Sequence, residues 1–424
     1  MKAVRGTRDI TPDEVYKWHY VESAARKVFE KFGFREIRTP IFEHTELFVK
    51  GTGEITDIVQ KEMYTFEDKG GRSLTLRPEG TPPVVRSYLE NNLFVDIPVN
   101  KFYYIAPMFR YERPQAGRYR QHMQLGVESI GSPSPAADAE LMSMYWHFIT
   151  ELNIKEVKLS MNNVGCGNAD CRPNYVEHLK SYAKENIDSL CDTCKDRLER
   201  NPLRMLDCKV EGCSEIFKKG PKILDHLCQE CNKHLKLVKS YMERLEIPYE
   251  MNPFLVRGLD YYTRTVFEVT ATGLGAQDAI AGGGRYDNLV EQLGGKPTPA
   301  LGFGCGLDRL IATMEAQNTR FPDPPGIDVY LVSVGEEGVS RILEISYLLR
   351  RKGISAEIGL EDRSLRSQMK TANKLGAKYV IIIGEEEIEK GVASLKNMQD
   401  GHQETVDMQM LGSTMEDKLR ISHR

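Results

Sequence analysis

Apolar positions along the chain change their spacing, and the changes divide it. Val15, Trp18, Val21, Ala25, Val28, Phe29 and Phe32 recur at helical intervals. They follow a helix start, with Thr11 as N-cap, Pro12 at the first position, and Asp13 and Glu14 in the first turn. Gly33 supplies the stop. GFREIRTPIFE then predicts a short strand broken at Pro40. RSLTL (72–76) alternates as a half-buried strand does, and runs through the turn RPEGT into a helix. KFYYIAPMFRY (101–111) and QHMQLGVESIG (121–131) predict two strands. The loop ERPQAGRYR, bent at Pro114 and Gly117, joins them as an antiparallel hairpin. DYYTRTVFEVTA and AIAGGGRYD add strands, and LGFGCGLDRLIATM predicts a strand, a glycine turn and a helix.

Two regions break this texture. Residues 161–250 lose glycine and gain lysine-rich helical segments and paired cysteines, so they predict a helical insertion between the two parts, 1–160 and 251–320, of one larger domain. FPDPPG (321–326) is a stiff proline linker. After it, residues 327–424 alternate β and α: DVYLVSV, ISAEIG, KYVIIIG and VASLKNM as strands, with helices after the first two. That pattern predicts a separate α/β domain with a mostly parallel sheet. The fold class is therefore α+β, a largely antiparallel sheet domain with a Cys-rich insertion, followed by an α/β domain.

Composition adds little, with 41% hydrophobic and 28% charged residues and a formal charge of -4. No apolar run is long enough to span a membrane, and MKAVRGTRDI carries no apolar leader, so a cytoplasmic protein is expected. The distribution of charge says more. FRYERPQAGRYRQHMQ concentrates Arg110, Arg113, Arg118 and Arg120 on one loop, interrupted only by Glu112. Arginine suits phosphate or carboxylate, because its planar fork donates two parallel hydrogen bonds.

On the following strand Gln124 and Glu128 share a face, with Gly126 between them leaving a gap. Taken alone, a solvent-facing strand is the better reading. LRPEGT sets Glu79 and Thr81 at a turn, an acid and a hydroxyl that suit an ammonium group; Thr81 equally serves as a helix N-cap before Pro82. VRGLDYYT brings Arg257, Asp260, Tyr261 and Tyr262 together. The glycines of AGGGRYD imply a close backbone approach. GFGCGLDRL has neither the Walker nor the dinucleotide glycine spacing. Together these segments describe a site for a phosphorylated ligand plus a zwitterion.

These segments resemble the histidyl-tRNA synthetase family, within the class II aminoacyl-tRNA synthetases. FGFREIRTPIFE resembles the first class motif, TLRPEGT and FRYERPQAGRYRQ the second, and GFGCGLDRL the third. RGLDYYT and AGGGRYD resemble the two histidine-specific signatures, and the tail resembles the class IIa anticodon-binding domain. The resemblance implies an antiparallel-sheet catalytic domain, a homodimer formed through the first motif, and three substrates: L-histidine, ATP with Mg²⁺, and tRNA(His). It implies that Arg110 holds the α-phosphate and that Arg257 sits at the reacting carboxylate and α-phosphate. Glu112, His122 and Arg309 would complete the ATP site. His122 stands where the family commonly has an adenine-stacking phenylalanine. Glu79, Thr81 and Gln124 would hold the α-ammonium. Glu128 and Tyr262, with Tyr261, would read the imidazole. Arg113, Arg118 and Arg120 would meet the tRNA acceptor end. A rival reading is a synthetase-like regulatory subunit that binds histidine without charging tRNA. Such subunits lose signature arginines and the tail, both kept here.

Eight of the nine cysteines pair as Cys166/Cys171, Cys191/Cys194, Cys208/Cys213 and Cys228/Cys231. In a reducing compartment such spacings are zinc-ligand spacings. One or two structural Zn²⁺ ions are expected in the insertion. Spacing leaves open which pairs share an ion. In the resembled family the insertion contacts the tRNA acceptor arm.

Overall fold

A computed structural model describes residues 1–113, 117–273, 278–360 and 364–421. The predicted bend at Pro114 lies outside these residues; Gly117 beside it has φ +69°. The chain forms two compact units, Met1–Pro322 and Asp323–Arg424.

The first unit is built on an eight-stranded sheet. In spatial order its strands are Arg35–Glu36, Asn100–Phe109, Gln121–Ile130, Ala300–Gly306, Ala279–Arg285, Thr263–Ala271, Val157–Asn163 and Glu250–Met251. Neighbours pair antiparallel except at the two edges, where Arg35–Glu36 and Glu250–Met251 pair parallel. The predicted hairpin runs in unbroken register from Asn100 opposite Ile130 to Phe109 opposite Gln121.

Strand alternation gives the sheet two different faces. Leu125, Val127, Leu301, Phe303, Cys305, Phe267 and Val269 point into one core cluster. The helices Pro12–Lys31, Pro135–Glu151 and Gln229–Arg244 cover that face through Val21, Phe29, Met142, Phe148, Leu235 and Val238. Each such fully buried side chain contributes about 1.5–3 kcal/mol by leaving water. The first helix begins where expected, with Thr11 extended at the N-cap position, but the Thr11 side chain makes no capping hydrogen bond. Gly33 after it has φ +79° and open space around it, so conformation and not crowding calls for glycine there. The opposite face of the sheet carries Gln124, Glu128, Glu268 and a set of glycines.

Three details depart from the sequence reading. The glycines of GFGCG form no turn: they lie on the strand Ala300–Gly306, which passes directly into the helix Leu307–Ala316. Residues 161–163 belong to the sheet, and the helix Gln229–Arg244 buries Leu235, Val238 and Met242 in the main core. Lysine-rich texture reports only that helix's exposed face. Between these limits the helices Arg172–Glu185, Asp192–Arg200 and Glu211–Lys218 pack around Tyr175, Leu179, Leu198, Met205 and Phe217.

In the second unit five strands order as Ala356–Ile358, Val329–Ser333, Tyr379–Ile383, Val392–Asn397 and Gln403–Asp407. The first three are parallel and the last two antiparallel, so the expected mostly parallel sheet is mixed. The antiparallel end is a hairpin turned at Gly401, φ +77°. Its last strand, QETVD, half-exposed and polar, carries little apolar signal.

Candidate active site

The site face begins with missing side chains. In register Gly304 lies opposite Gly126, Gly302 opposite Glu128 and Gly306 opposite Gln124. A Cβ on Gly302 would fall 2.0 Å from Glu128 Oε2, and one on Gly304 2.7 Å from Gln124 Nε2. One on Gly282 would fall 2.1 Å from the Arg257 guanidinium. The close approach expected from AGGGRYD is therefore Arg257 lying across the strand. The gap expected over Gly126 is filled. A Cβ there would meet the Tyr104 ring at 2.1 Å, and one on Gly80 would meet it at 2.2 Å. Tyr104 is held between two glycines far apart in sequence. Gly126→Ala is expected to displace that ring and lower stability by about 1–3 kcal/mol, together with a weaker KM for the amino acid. An unchanged melting temperature and KM would contradict this packing.

Two carboxylates are buried above this floor. Glu79 Oε1 accepts from Thr52 and Oε2 from Tyr261, the latter at 2.8 Å. Glu128 Oε1 accepts from Thr81 at 2.8 Å and from Tyr104 at 3.5 Å, and Oε2 from Tyr286. Gln124 donates to the Tyr104 hydroxyl at 3.0 Å, so amide, phenol and carboxylate form one chain. Thr81 is the first residue of the helix Thr81–Glu90, with Gly80 at the N-cap; its hydroxyl is committed to Glu128 and does not cap the helix. Tyr262 is buried against Tyr261, ring centres 4.7 Å apart.

Every side-chain partner of the two acids among the described residues is a neutral hydroxyl. Burial raises both carboxyls above the ordinary range, Glu128 to about 8, and the charge on Glu79 adds to that of Glu128. Two buried acids whose hydrogen-bond partners are hydroxyls, with the Arg110 charge acting on Glu79 from outside that set, form a pocket that favours a cationic or N–H-rich ligand.

Next to this pocket is a cavity of about 260 Å³ lined by Arg110, Arg118, His122, Arg257, Glu268 and Arg309. The same arginines line a larger cavity of about 630 Å³ that extends to Arg204, Asp207 and Lys209 of the Cys-rich segment. Arg110 Nε donates to Pro78 O at 2.8 Å, and Arg309 Nη1 to Ala279 O at 2.7 Å. Glu112 lies 3.0 Å from Arg118 and 3.8 Å from Arg110, so one acid faces two cations. Arg257 pairs with Glu268, yet its buried Nε has no partner among the described residues. Burial, then Arg110, Arg118 and Arg309, lower the His122 imidazole to about 4, so the ring is neutral at physiological pH.

The other two loop arginines lie apart from the cavity lining. Arg113 is exposed. Arg120 stacks 3.8 Å over the Tyr111 ring and donates to the carbonyls of Glu112 and Arg5, which fixes the loop.

The cysteines sort into two groups that spacing alone leaves open. Cys166, Cys171, Cys228 and Cys231 form one, and Cys191, Cys194, Cys208 and Cys213 the other; within each, all sulfurs lie within 4.8 Å of one another.

Two residues of the pocket are absent from the sequence reading. Tyr286, in AGGGRYD, donates to Glu128; its position in an already singled-out segment was the available signal. Tyr104 had none, because its packing depends on Gly80.

An antiparallel sheet whose face carries an arginine-lined cavity beside a buried acidic pocket is the arrangement that the class II aminoacyl-tRNA synthetase motifs of the sequence imply. Comparison with known proteins narrows this. The family profile of histidyl-tRNA synthetase matches residues 6–310, and that of an anticodon binding domain matches residues 328–418. The chain belongs to the histidyl-tRNA synthetase family. It is 50% identical to a histidine–tRNA ligase of Halothermothrix orenii over 99% of each chain. It is 49% identical to one of Acetivibrio thermocellus, covering 98% of this chain and 99% of that one. Its fold matches apo histidyl-tRNA synthetase of S. aureus with a TM-score of 0.83 and 37% identity, over 98% of this chain and 100% of that one.

Proposed function

We propose that Glu79, Thr81, Gln124, Glu128, Tyr261 and Tyr262 bind L-histidine, and that Arg110, Glu112, His122 and Arg309 bind ATP beside it. The chain is a histidine–tRNA ligase, joining histidine to tRNA(His) in an ATP-dependent reaction. The observation that carries the site assignment is the pair of buried acids with only hydroxyl partners, adjoining the arginine cavity. Neutral imidazole has one N–H donor and one bare nitrogen. Glu128 accepts from the first, and a tyrosine hydroxyl donates to the second. Glu79 and Gln124 then face the α-ammonium.

In the first step a histidine carboxylate oxygen attacks the α-phosphorus in line. The new O–P bond forms as the bond to the β-phosphate oxygen breaks, and pyrophosphate leaves. Arg110 and Arg257, both lining the cavity, offset charge on the pentacoordinate phosphorus. In the second step the terminal ribose hydroxyl of tRNA attacks the activated carbonyl, and AMP leaves. Arg113 and Arg118 meet the acceptor end, on the loop that Arg120 steadies. Mg²⁺ bound with ATP would supply charge neutralisation on the triphosphate, and Glu112 and Glu268 of the cavity lining are the carboxylates that would hold it. His122, neutral, can stack on adenine as the usual phenylalanine does. ATP–pyrophosphate exchange across a panel of amino acids tests the reading: histidine alone should support exchange, and exchange independent of histidine refutes it. A non-catalytic regulatory subunit would have no use for Arg110, Arg257 and Arg309 on one cavity.

We further propose that each cysteine group holds one structural Zn²⁺. Tetrahedral Zn–S bonds of about 2.3 Å set sulfurs about 3.8 Å apart; Cys166–Cys228 and Cys191–Cys208 are both 3.8 Å apart. Backbone N–H groups point at Cys171 and Cys213 sulfurs, as thiolates favour. About two zinc per chain are expected in protein purified without chelator. Substoichiometric zinc with all the clustered thiols titratable would exclude it.

A homodimer is supported by the small sheet of Phe42–His44, Tyr64–Glu67 and Ser73–Leu76. Register sets Phe42, Tyr64, Phe66, Leu74 and Leu76 on one face, and Phe42 and Phe66 are 53% and 43% exposed. Phe42→Asp should give monomers in sedimentation; an unchanged dimer would remove this face from the interface. No described helix is long and apolar enough to cross a membrane. Cysteines grouped for zinc rather than paired as disulfides fit a reducing compartment, the cytoplasm.

A further inference from the structure

The Cys-rich segment reaches the amino-acid site at a half-buried contact made by Asn201. Its 3₁₀ turn Pro202–Asp207 follows the helix Asp192–Arg200, and Asn201 lies between them. The four sulfurs of Cys191, Cys194, Cys208 and Cys213 close the loop that carries Asn201. Asn201 Nδ2 donates to Asp260 Oδ1 at 2.7 Å. Asp260 is one residue from Tyr261 and three from Arg257 in RGLDYY. On its other side the same carboxylate presses against Gly53, where a Cβ would fall 2.7 Å from Oδ2. Arg204, in the same turn, passes 3.6 Å above the Cβ position of Gly258 and lies 4.0 Å from Asp57.

From Asp260 the contacts continue inward. Its N–H donates to Thr52 O at 3.4 Å, the Thr52 hydroxyl donates to Glu79, and Tyr261 donates to the other oxygen of Glu79. Asn201 thus holds the Asp260 end of the loop that presents Arg257 and the tyrosines, while Arg172 of the same segment donates to the Tyr262 carbonyl at 2.7 Å at its other end. A cavity of about 230 Å³ lined by Asn201, Arg204, Arg257, Asp260 and Tyr262 lies along this contact. Open space there means that no dense packing would replace a lost hydrogen bond.

We propose that Asn201 is a positioning residue for histidine binding, acting through Asp260 on the Arg257–Tyr262 loop. The Cys-rich segment is then part of amino-acid recognition as well as a surface for tRNA. This rests on the histidine-site reading above. Misplacement of reacting groups by about 1 Å can cost up to about 100-fold, so a clear kinetic signature follows.

Asn201→Asp sets a second carboxylate against Asp260 with little change in shape. In tRNA-free ATP–pyrophosphate exchange it should raise the KM for histidine about tenfold or more, with the KM for ATP changed by less than about twofold. The reciprocal pair N201D/D260N restores an amide facing a carboxylate and should recover most of the wild-type histidine KM. A purely structural contact would lower the fraction of active protein and leave both KM values unmoved. A wild-type histidine KM in Asn201→Asp overturns the proposal, as does a loss confined to aminoacylation of tRNA. If Asn201→Asp does not fold, the reciprocal pair decides alone: a folded pair with a histidine KM still raised tenfold overturns it. Wild-type exchange serves as the control. If that is not histidine-dependent, the site reading fails; if it is, and Asn201→Asp is normal, only the present inference fails.

Discussion

Arg257→Ala is expected to lower histidine-dependent ATP–pyrophosphate exchange by about 10³-fold or more while leaving the melting temperature within a few degrees of wild type. The guanidinium lies against Gly282, pairs with Glu268 and lines the arginine cavity. Removing one donor aimed at developing transition-state charge commonly costs about 10²–10³, and Arg257 supplies a full positive charge besides. The fold should tolerate the change, because a vacated space beside the cavity can fill with water. The loss should appear in kcat more than in KM for histidine, since the pocket acids are untouched. Exchange at the wild-type rate would remove Arg257 from the mechanism.

The second large effect is expected at Glu128. Glu128→Gln keeps the shape and the contacts to Thr81 and Tyr286 but loses the charge that imidazole N–H would meet. Hydrogen bonds to charged groups are worth about 1.5–3 kcal/mol, so the KM for histidine should rise about 10- to 100-fold with the KM for ATP unchanged. A KM within about twofold of wild type would show that Glu128 does not read the ring. The same variant carries a pH signature. Burial raises this carboxyl from its ordinary 4.5 to about 8 in the ligand-free fold. A raised acid contributes stability that is present below 4.5 and is lost as pH rises through about 8. Ligand-free protein should therefore lose stability across that window, and Glu128→Gln should flatten the loss. Histidine binding below pH 8 should release a proton, measurable by calorimetry in buffers of different ionisation enthalpy. Identical pH–stability curves for the two proteins would mean that Glu128 does not titrate in this window.

How much of this was legible in the sequence depends on whether the signal was local. Gln124 and Glu128 could be set on one face because strand alternation is a local rule, but the hairpin register came only with the structure. The antiparallel sheet and the separate tail domain were legible for the same reason. Tyr104 was not, because it fits only where Gly80 and Gly126 meet. Arg285, beside Tyr286, could pass for a ligand residue; it is buried in an ion pair with Asp138 in the core, a contact that joins distant segments. The helix Gln229–Arg244 looked like part of the insertion because lysines dominate its exposed face. The cysteine spacings gave the ligand chemistry but not the grouping, since Cys166 joins Cys228 and Cys231 only after the intervening helices fold back.

The glycine floor carries a consequence for how the pocket could change its substrate. Gly126, Gly282, Gly302 and Gly304 have no side chain to shorten, so every substitution at these positions adds atoms to a space already in contact. Single changes in the floor can shrink the pocket or block it, but none can enlarge it. Room for a bulkier amino acid has to come from the walls, by trimming Tyr104 or Tyr286. Both phenols donate to Glu128, so the same change would loosen the grip on histidine. Broadening of specificity and loss of the native substrate are thereby tied to the same two residues.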